Sequence, residues 1–337
     1  MWRSRGAQPA TMGTKQKKDD DDKPIRGQVR LVGHRRVSHG LYVRVAEGLG
    51  DDEEFVRDLE AYLLVLPRSA AFTHLTGARL RHWRLPKLPD QVPVFVAVDL
   101  KDPRPRRHGL ICSRLTTTRE RTKRHGLPVE ETEEILLRLA RDLGLLDLVI
   151  VIDSAIQLGD VDPDRMERLL RSRRPGVRML RAAYRLACGL SESEGESVLR
   201  VFHVAIDVPV QPQVELFDDR GNLIGRVDLL VTGTTRAHEY DGEHHRDKDQ
   251  HRVDMRRERG WAGSPYTRSG FALDDLLNHP AVVMHEIDRV LDRPHRVRRL
   301  RRWRTVVQNS LYSEAGRERV MNRWRRQNAI MDWARSA

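Results

Sequence analysis

Apolar and basic positions alternate through residues 26–44, RGQVRLVGHRRVSHGLYVR, around Gly33 and Gly40. That period of two predicts a short β-hairpin with a basic face. From 52 to 66 the period lengthens, and Phe55, Leu59, Tyr62, Leu63 and Leu66 fall on one helical stripe that Pro67 stops. AAFTHLTGARLRHW predicts a second short helix holding Gly77, and VPVFVAVDL (92–100) and HGLICSRLT (108–116) predict strands. Residues 129–159 contain one or two helices. A further helix starts from Asp162 as N-cap with Pro163 in its first turn, and residues 176–190 form another amphipathic helix ending near Gly189. No internal repeat interrupts this mixed α/β pattern.

The pattern changes at Ser191. SESEGESVLRVFHVA places Ser193 and Glu196 at capping-box spacing ahead of a helical apolar stripe. QVELFDDRGNLIGRVDLLV then reads as two strands around a turn at Asp219–Asn222. Thr232–Thr235 (TGTT) forms a second turn, and Arg236–Gly242 (RAHEYDG) a third strand. Residues 243–261 predict a polar helix stopped by Gly260, followed by a strand in SPYTRSG and a helix over 272–291. The order is α-β-β-β-α-β-α.

Composition narrows the function. Lys and Arg number 61 against 49 Asp and Glu, a formal charge of +12, and 53 of the 61 are Arg. This balance favours a polyanionic partner, nucleic acid first and an anionic membrane surface second. No apolar run approaches the ~18–20 residues of a membrane span, and the first residues lack the apolar segment of a secretory signal. Cys112 and Cys188 are the only cysteines, which excludes a disulfide framework and a CxxC zinc site and points to a reducing, cytoplasmic setting. Residues 1–24 stand apart, with four of the eight Lys and a DDDDK run at Asp19–Lys23 that matches an enterokinase cleavage site. They are expected to be a disordered tail, either an added leader or a natural one with the true start at Met12.

The candidate chemistry lies on the second and third strands of the 191–293 segment. A hairpin across TGTT with Val231 facing Arg236 pairs positions whose numbers sum to 467, which sets Asp228 opposite Glu239 and Arg226 opposite Asp241. Opposed side chains sit roughly 4.5–5.5 Å apart, and like charges there are destabilising. A hard divalent cation would account for the pair, with the backbone carbonyl of Tyr240 as a third oxygen ligand; in a shifted register both acids would simply face water. Asp241 reads equally as a cross-strand salt bridge to Arg226. Glu196 reads either as the reciprocal half of its capping box or as an acid aimed at the same metal. His244, His245 and His251 follow at once, and His245 is the candidate for proton transfer. A histidine-based zinc or manganese site, or plain loop residues over a phosphate groove, are the other readings of these three.

The set SEGES-x-LR, GRVDLL, HEYDGEHH and the polar segment ending in RGW resembles restriction-endonuclease-like, PD-(D/E)xK-related domains of the very-short-patch-repair endonuclease type. More closely, the chain looks like bacterial proteins, of unknown function, that pair an AbiEi-like antitoxin N-terminal region with such a domain. The nuclease-like match covers 191–293; a looser one covers 25–190 through HGLYV, FTHLTGARL and the HGLPV run. The resemblance implies a mixed α/β AbiEi-like region with a partial winged-helix wing (25–190) and an αβββαβ restriction-endonuclease-like domain (191–293), between the disordered tail (1–24) and an Arg/Trp-rich helical extension (294–337) read from composition. It further implies Asp228 and Glu239 as metal ligands, Glu196 as the helix acid and His245 as the histidine after the EYDG turn. Two positions after Glu239, where the superfamily commonly has Lys, this chain has Asp241, so catalysis would rely on His245 or Lys248 or be lost.

The activity expected is Mg²⁺-dependent (or Mn²⁺-dependent) endonuclease hydrolysis of DNA phosphodiesters. The alternative is a non-catalytic, antitoxin-like DNA-binding transcriptional regulator on a degenerate nuclease fold, with a partner toxin. DNA contact is expected from Arg35 and Arg36 in the basic hairpin. It is also expected from Arg298, Arg299, Arg301 and Arg302 in RPHRVRRLRRWR, where interspersed Trp303, with Trp324 and Trp333 beyond, suits base stacking. The same run also reads as a helix that docks its Trp and Leu on the body, or as a basic membrane-surface helix.

Overall fold

A computed structural model of the chain describes residues 23–115, 122–242, 261 and 264–328. They form a mixed α/β structure with three sheets. The chain divides into two compact units, Met1–Leu66 and Pro67–Ala337.

In the first unit, β1 (Ile25–Arg26), β2 (His34–Ser38) and β3 (Leu41–Arg44) form an antiparallel sheet in the order β1-β3-β2. The β2–β3 hairpin is the one the alternating pattern predicts, and its turn uses Gly40 at φ 66°, a left-handed conformation that suits glycine. Helix α1 (Asp51–Leu63) carries four acids in its first turn, the arrangement the helix dipole favours. Glu53 adds a cap by accepting the Gly50 N–H at 2.9 Å. Leu41, Val43, Leu59, Ala61 and Tyr62 are buried.

The second unit opens with a five-stranded sheet in the order β6-β5-β4-β8-β7. Its strands are β4 (Ala71–Phe72), β5 (Val94–Val98), β6 (Leu110–Arg114), β7 (Thr122–Arg124) and β8 (Leu127–Val129). Around it run α2 (His74–Leu80), α3 (Thr132–Leu139), α4 (Leu145–Gln157), α5 (Pro163–Leu170) and α6 (Val177–Tyr184). The long 129–159 segment thus yields two helices after a short strand. Asp162 caps α5 as expected, accepting the Arg165 N–H at 3.0 Å. Helix α4 is apolar on nearly every side and buried from Leu146 through Ala155, so it is the spine of the core. Its two acids tie other segments to it. Asp147 accepts the N–H groups of Gly144 and Leu311. Asp153 accepts from the Cys188 and Gly189 N–H groups, the Ser197 hydroxyl and the Arg200 guanidinium.

The last sheet follows α7 (Glu194–Ala205). It contains β9 (Val210–Phe217), β10 (Leu223–Val231), β11 (Arg236–Tyr240) and β12 (Thr267–Phe271), in the order β12-β11-β10-β9. β9, β10 and β11 are antiparallel neighbours, whereas β12 runs parallel to β11. The expected helix over 272–291 is two helices, α8 (Leu273–Asn278) and α9 (Pro280–Val290), because Pro280 cannot continue a preceding helix and starts a new one. A 3₁₀ turn, Val297–Arg299, leads into α10 (Leu300–Gln308), and α11 (Glu314–Asn328) ends the described chain.

These last helices correct the expectation of tryptophan stacking. Trp303 is fully buried, meets Phe202 edge-on and donates its indole N–H to the Leu276 carbonyl at 2.7 Å. Trp324 is buried too and donates to Asp142 at 2.9 Å. Both rings anchor their helices to the body and neither presents a face to solvent; Trp333 lies outside the described residues. Among the described residues no helix is long and apolar enough to cross a membrane.

Candidate active site

The TGTT turn fixes the register of β10 on β11. Leu229 pairs with His238 and Leu230 with Ala237, the sum of 467 read from the sequence, and Asp228 and Glu239 are the next positions along. There the regular ladder gives way. Asp228 turns its carboxylate to the Tyr240 N–H, accepting at 2.9 Å, so a side chain replaces a strand carbonyl. Gln213, opposite on β9, lies at φ 53°, a left-handed conformation uncommon for a side-chain-bearing residue, and drops out of the pairing with β10.

That irregularity brings two of the candidate acids, Glu196 and Asp228, to one amide. The Gln213 amide nitrogen donates to Glu196 Oε2 at 2.8 Å and lies 3.5 Å from Asp228 Oδ1. Glu196 sits in the first turn of α7, whose N-terminus is set by Ser193 accepting the Glu196 N–H at 3.1 Å. The reciprocal bond is displaced by one residue: the Glu196 carboxylate accepts from the Glu192 N–H at 2.7 Å. The Glu196 carboxylate thus caps the start of its helix and shares the Gln213 amide with Asp228. Burial, reinforced by the Asp228 charge, holds it above the ordinary carboxylate range against the pull of the Glu192 N–H. Helix α7 approaches β11 closely because residue 195 is glycine; a Cβ there would fall on the Tyr240 ring.

Glu239 is buried and ion-paired with Arg268 from the parallel strand β12. Asp241 donates its backbone N–H to the Phe271 carbonyl at 3.0 Å, and its carboxylate lies over Gly270, where a Cβ would collide with it. Because Asp241 bonds toward β12, Tyr240 presents its N–H toward β10, and its carbonyl lies on that same edge of the strand. Arg226, expected opposite Asp241, is engaged by Glu192 at 2.6 Å. His244, His245, Lys248 and His251 lie outside the described residues.

No family model matches the chain, and no curated protein or solved structure matches it.

The donors gathered here are oxygen atoms: the carboxylates of Asp228 and Glu196, with the Tyr240 carbonyl on the edge facing β10. Hard cations such as Mg²⁺ take such a set, one or two carboxylates with the remaining positions left to water and substrate phosphate. Among the described residues no group of three or more His, Cys, Asp or Glu side chains is placed to hold a metal ion. Gln213 and Arg268 were not anticipated. A left-handed Gln inside a strand leaves no mark in a hydropathy pattern, and the reach of Arg268 depends on the parallel pairing of β12.

The six arginines expected at DNA divide by their partners. Arg35 is held by Glu54 and Asp58 of α1, and Arg299 by the buried Asp288, which also takes Arg293 and His295. Arg302 pairs at the surface with Asp207 at 3.1 Å. Arg36 donates to the Ser38 carbonyl and lies beside His39, while Arg298 and Arg301 are exposed.

Proposed function

We propose that residues 191–293 form a restriction-endonuclease-like domain and that the chain hydrolyses DNA phosphodiester bonds with Mg²⁺ or Mn²⁺. One observation carries the reading: Glu196 and Asp228, from a helix and a strand, converge on a single Gln213 amide where β10 and β11 cease to pair regularly. Two nearby half-buried carboxylates repel each other unless a cation or a proton lies near, and the neutral amide cancels no charge. The order α7-β9-β10-β11-β12, with β12 parallel to β11, supports the αβββαβ assignment; the helix expected over 243–261, between β11 and β12, falls almost wholly outside the described residues.

In this reading Asp228, Glu196 and the Tyr240 carbonyl would hold the ion, Glu196 in the place expected of Glu239, whose carboxylate pairs with Arg268. When bound, the metal supplies a Lewis acid that makes water a better nucleophile and neutralises charge on the phosphate. Asp228 is oriented by the Tyr240 N–H and Glu196 by Gln213 and the Glu192 N–H, so both acids are preorganised. Arg268 fixes Glu239, and its positive charge at the sheet edge also suits a phosphate oxygen. His245 is the proposed proton-transfer group. The test is nicking of supercoiled plasmid with Mg²⁺ or Mn²⁺, stopped by a chelator. Asp228→Asn, nearly isosteric, is expected to lower the rate by about 10²–10³-fold, the loss typical of a group that stabilises transition-state charge. Undiminished nicking by that variant would overturn the assignment.

A second reading is favoured by Asp241, which stands where a water-polarising lysine would be, and by the Arg268 bond that occupies Glu239. On it the domain is a DNA-binding, antitoxin-like scaffold without catalysis. Retarded DNA migration in chelator, with no cleavage in any divalent metal, is its expected signature.

A further inference from the structure

The five-stranded sheet, far in sequence from the acids above, borders a cavity of about 100 Å³ lined by Thr73, His74, Ser113, Arg138, Arg141 and Arg323, with Asp142 at its wall. At about 30 Å³ per water, the space suits roughly three waters or one tetrahedral oxyanion. Its charges do not cancel. Glu130 takes Arg138 through two bonds of 2.7 and 2.8 Å, Glu134 takes Arg174 at 2.5 and 2.6 Å, and Asp142 pairs with Arg323. Arg141 is left over. It donates Nε to the Pro175 carbonyl at 3.0 Å and, among the described residues, makes no ion pair. Burial, with the neighbouring charges of Arg138 and Arg174, lowers its pKa against the pull of Glu134 and Asp142.

His74 supplies an independent indication. It is 96% buried, with 4% of its surface exposed, and its ring stacks on Phe95 at 4.0 Å. Its backbone lies at φ 52°, in the left-handed region. Nε2 lies 3.1 Å from Asp142 Oδ2 and helps hold that carboxylate below its ordinary range, while Nδ1 has no hydrogen-bond partner. Buried polar nitrogens are nearly always satisfied, by protein, water or ligand.

We propose that this cavity binds a small tetrahedral oxyanion of the phosphate class, held by the Arg141 guanidinium and His74. The same chemistry comes either as free inorganic phosphate or as the terminal phosphate of a nucleic-acid strand. Sheet, helices and ligands here are distinct from those that carry Glu196 and Asp228, so the proposal stands whether or not the chain cuts DNA.

The experiment is calorimetric titration of the full chain with inorganic phosphate at constant ionic strength, with chloride as the control. A parallel titration uses a 5′-phosphorylated trinucleotide and its unphosphorylated twin. Saturable phosphate binding that weakens at least tenfold in Arg141→Gln is the expected result. Tighter binding of the phosphorylated trinucleotide than of phosphate identifies a strand end as the source, and the reverse order identifies free phosphate. His74→Gln provides the second variant should Arg141→Gln lose its circular dichroism spectrum. Heats indistinguishable from chloride, or affinity unchanged in the folded variants, overturn the proposal.

Discussion

Behind the sheet that carries the acids, two histidines share one hydrogen bond in a dry setting. His203 Nδ1 lies 2.8 Å from the Leu199 carbonyl, and its Nε2 lies 2.7 Å from His238 Nδ1. A chain of donors running from His238 to His203 to the carbonyl satisfies both rings when both are neutral. Burial lowers their pKa values to about 4 and about 3, against 6.5 for a free imidazole. A depressed histidine pKa means that the unfolded chain binds the proton first. The stability is therefore full above pH 6.5 and drains away as pH falls toward 4. Asp147 works the other way. Burial raises it to about 6, so it favours the folded state at low pH and loses that contribution as pH rises from 3.8 through 6. Between pH 6 and 5 the unfolded state holds nearly two more protons than the folded state at the histidines, while the folded state holds up to one more at Asp147, a net of about one. From these three groups stability is expected to fall by about 1.4 kcal/mol for each unit of acidification in that window. Urea midpoints at pH 7, 6 and 5 check this, and a midpoint constant or rising toward acid would refute the balance.

Helices α10 and α11 illustrate what patterning conveys and what it leaves open. Their Arg-rich, Trp-bearing runs are legible as helices, but an amphipathic stripe reads the same whether its Trp docks on a core or stacks on a base. Burial decides, and here it assigns Trp303 and Trp324 to the core. The same division separates the arginines. Arg299 neutralises the buried Asp288, so Arg299→Gln is expected to cost about 1–3 kcal/mol of stability without a specific effect on DNA affinity. Arg298→Gln and Arg301→Gln, at exposed positions, should leave stability within about 0.5 kcal/mol and lower the salt dependence of DNA binding by roughly one phosphate contact each. Chemical melts beside salt-titrated gel shifts measure both. In the sheet, the β10–β11 register was legible because a four-residue turn counts out the pairs, and the DRGN turn likewise marks where β9 ends and β10 begins. The two- and three-residue strands β4, β7 and β8 were not, since so short a segment shows no period. The convergence of Glu196 on Asp228 was open in the sequence for another reason: it depends on one left-handed glutamine and one absent Cβ at Gly195, both properties of the backbone.

Composition shifts suggest boundaries near 190 and 293, yet Pro67–Ala337 forms one compact unit. Two buried carboxylates on α4 explain why. Asp153 holds Ser197 and Arg200 of α7 from across residue 190, and Asp147 holds the Leu311 N–H from across residue 293. A fragment starting at 191 would deprive Arg200 of its buried partner, and breaking such a pair by removing one member costs about 3–5 kcal/mol. It would also strip α7 and the C-terminal helices of the apolar surface of α4. A fragment starting at Pro67 keeps both sheets, the α4 spine, the phosphate-sized cavity and Glu196, Asp228 and Glu239 together. The 67–337 fragment is expected to unfold in a single cooperative thermal transition, whereas 191–337 should show no sharp one. Circular dichroism melts of the two fragments distinguish these outcomes. A cooperative, native-like transition for 191–337 would mean that the acids on α7 and β10 are positioned without α4, and that Asp153 contributes little to where Glu196 stands.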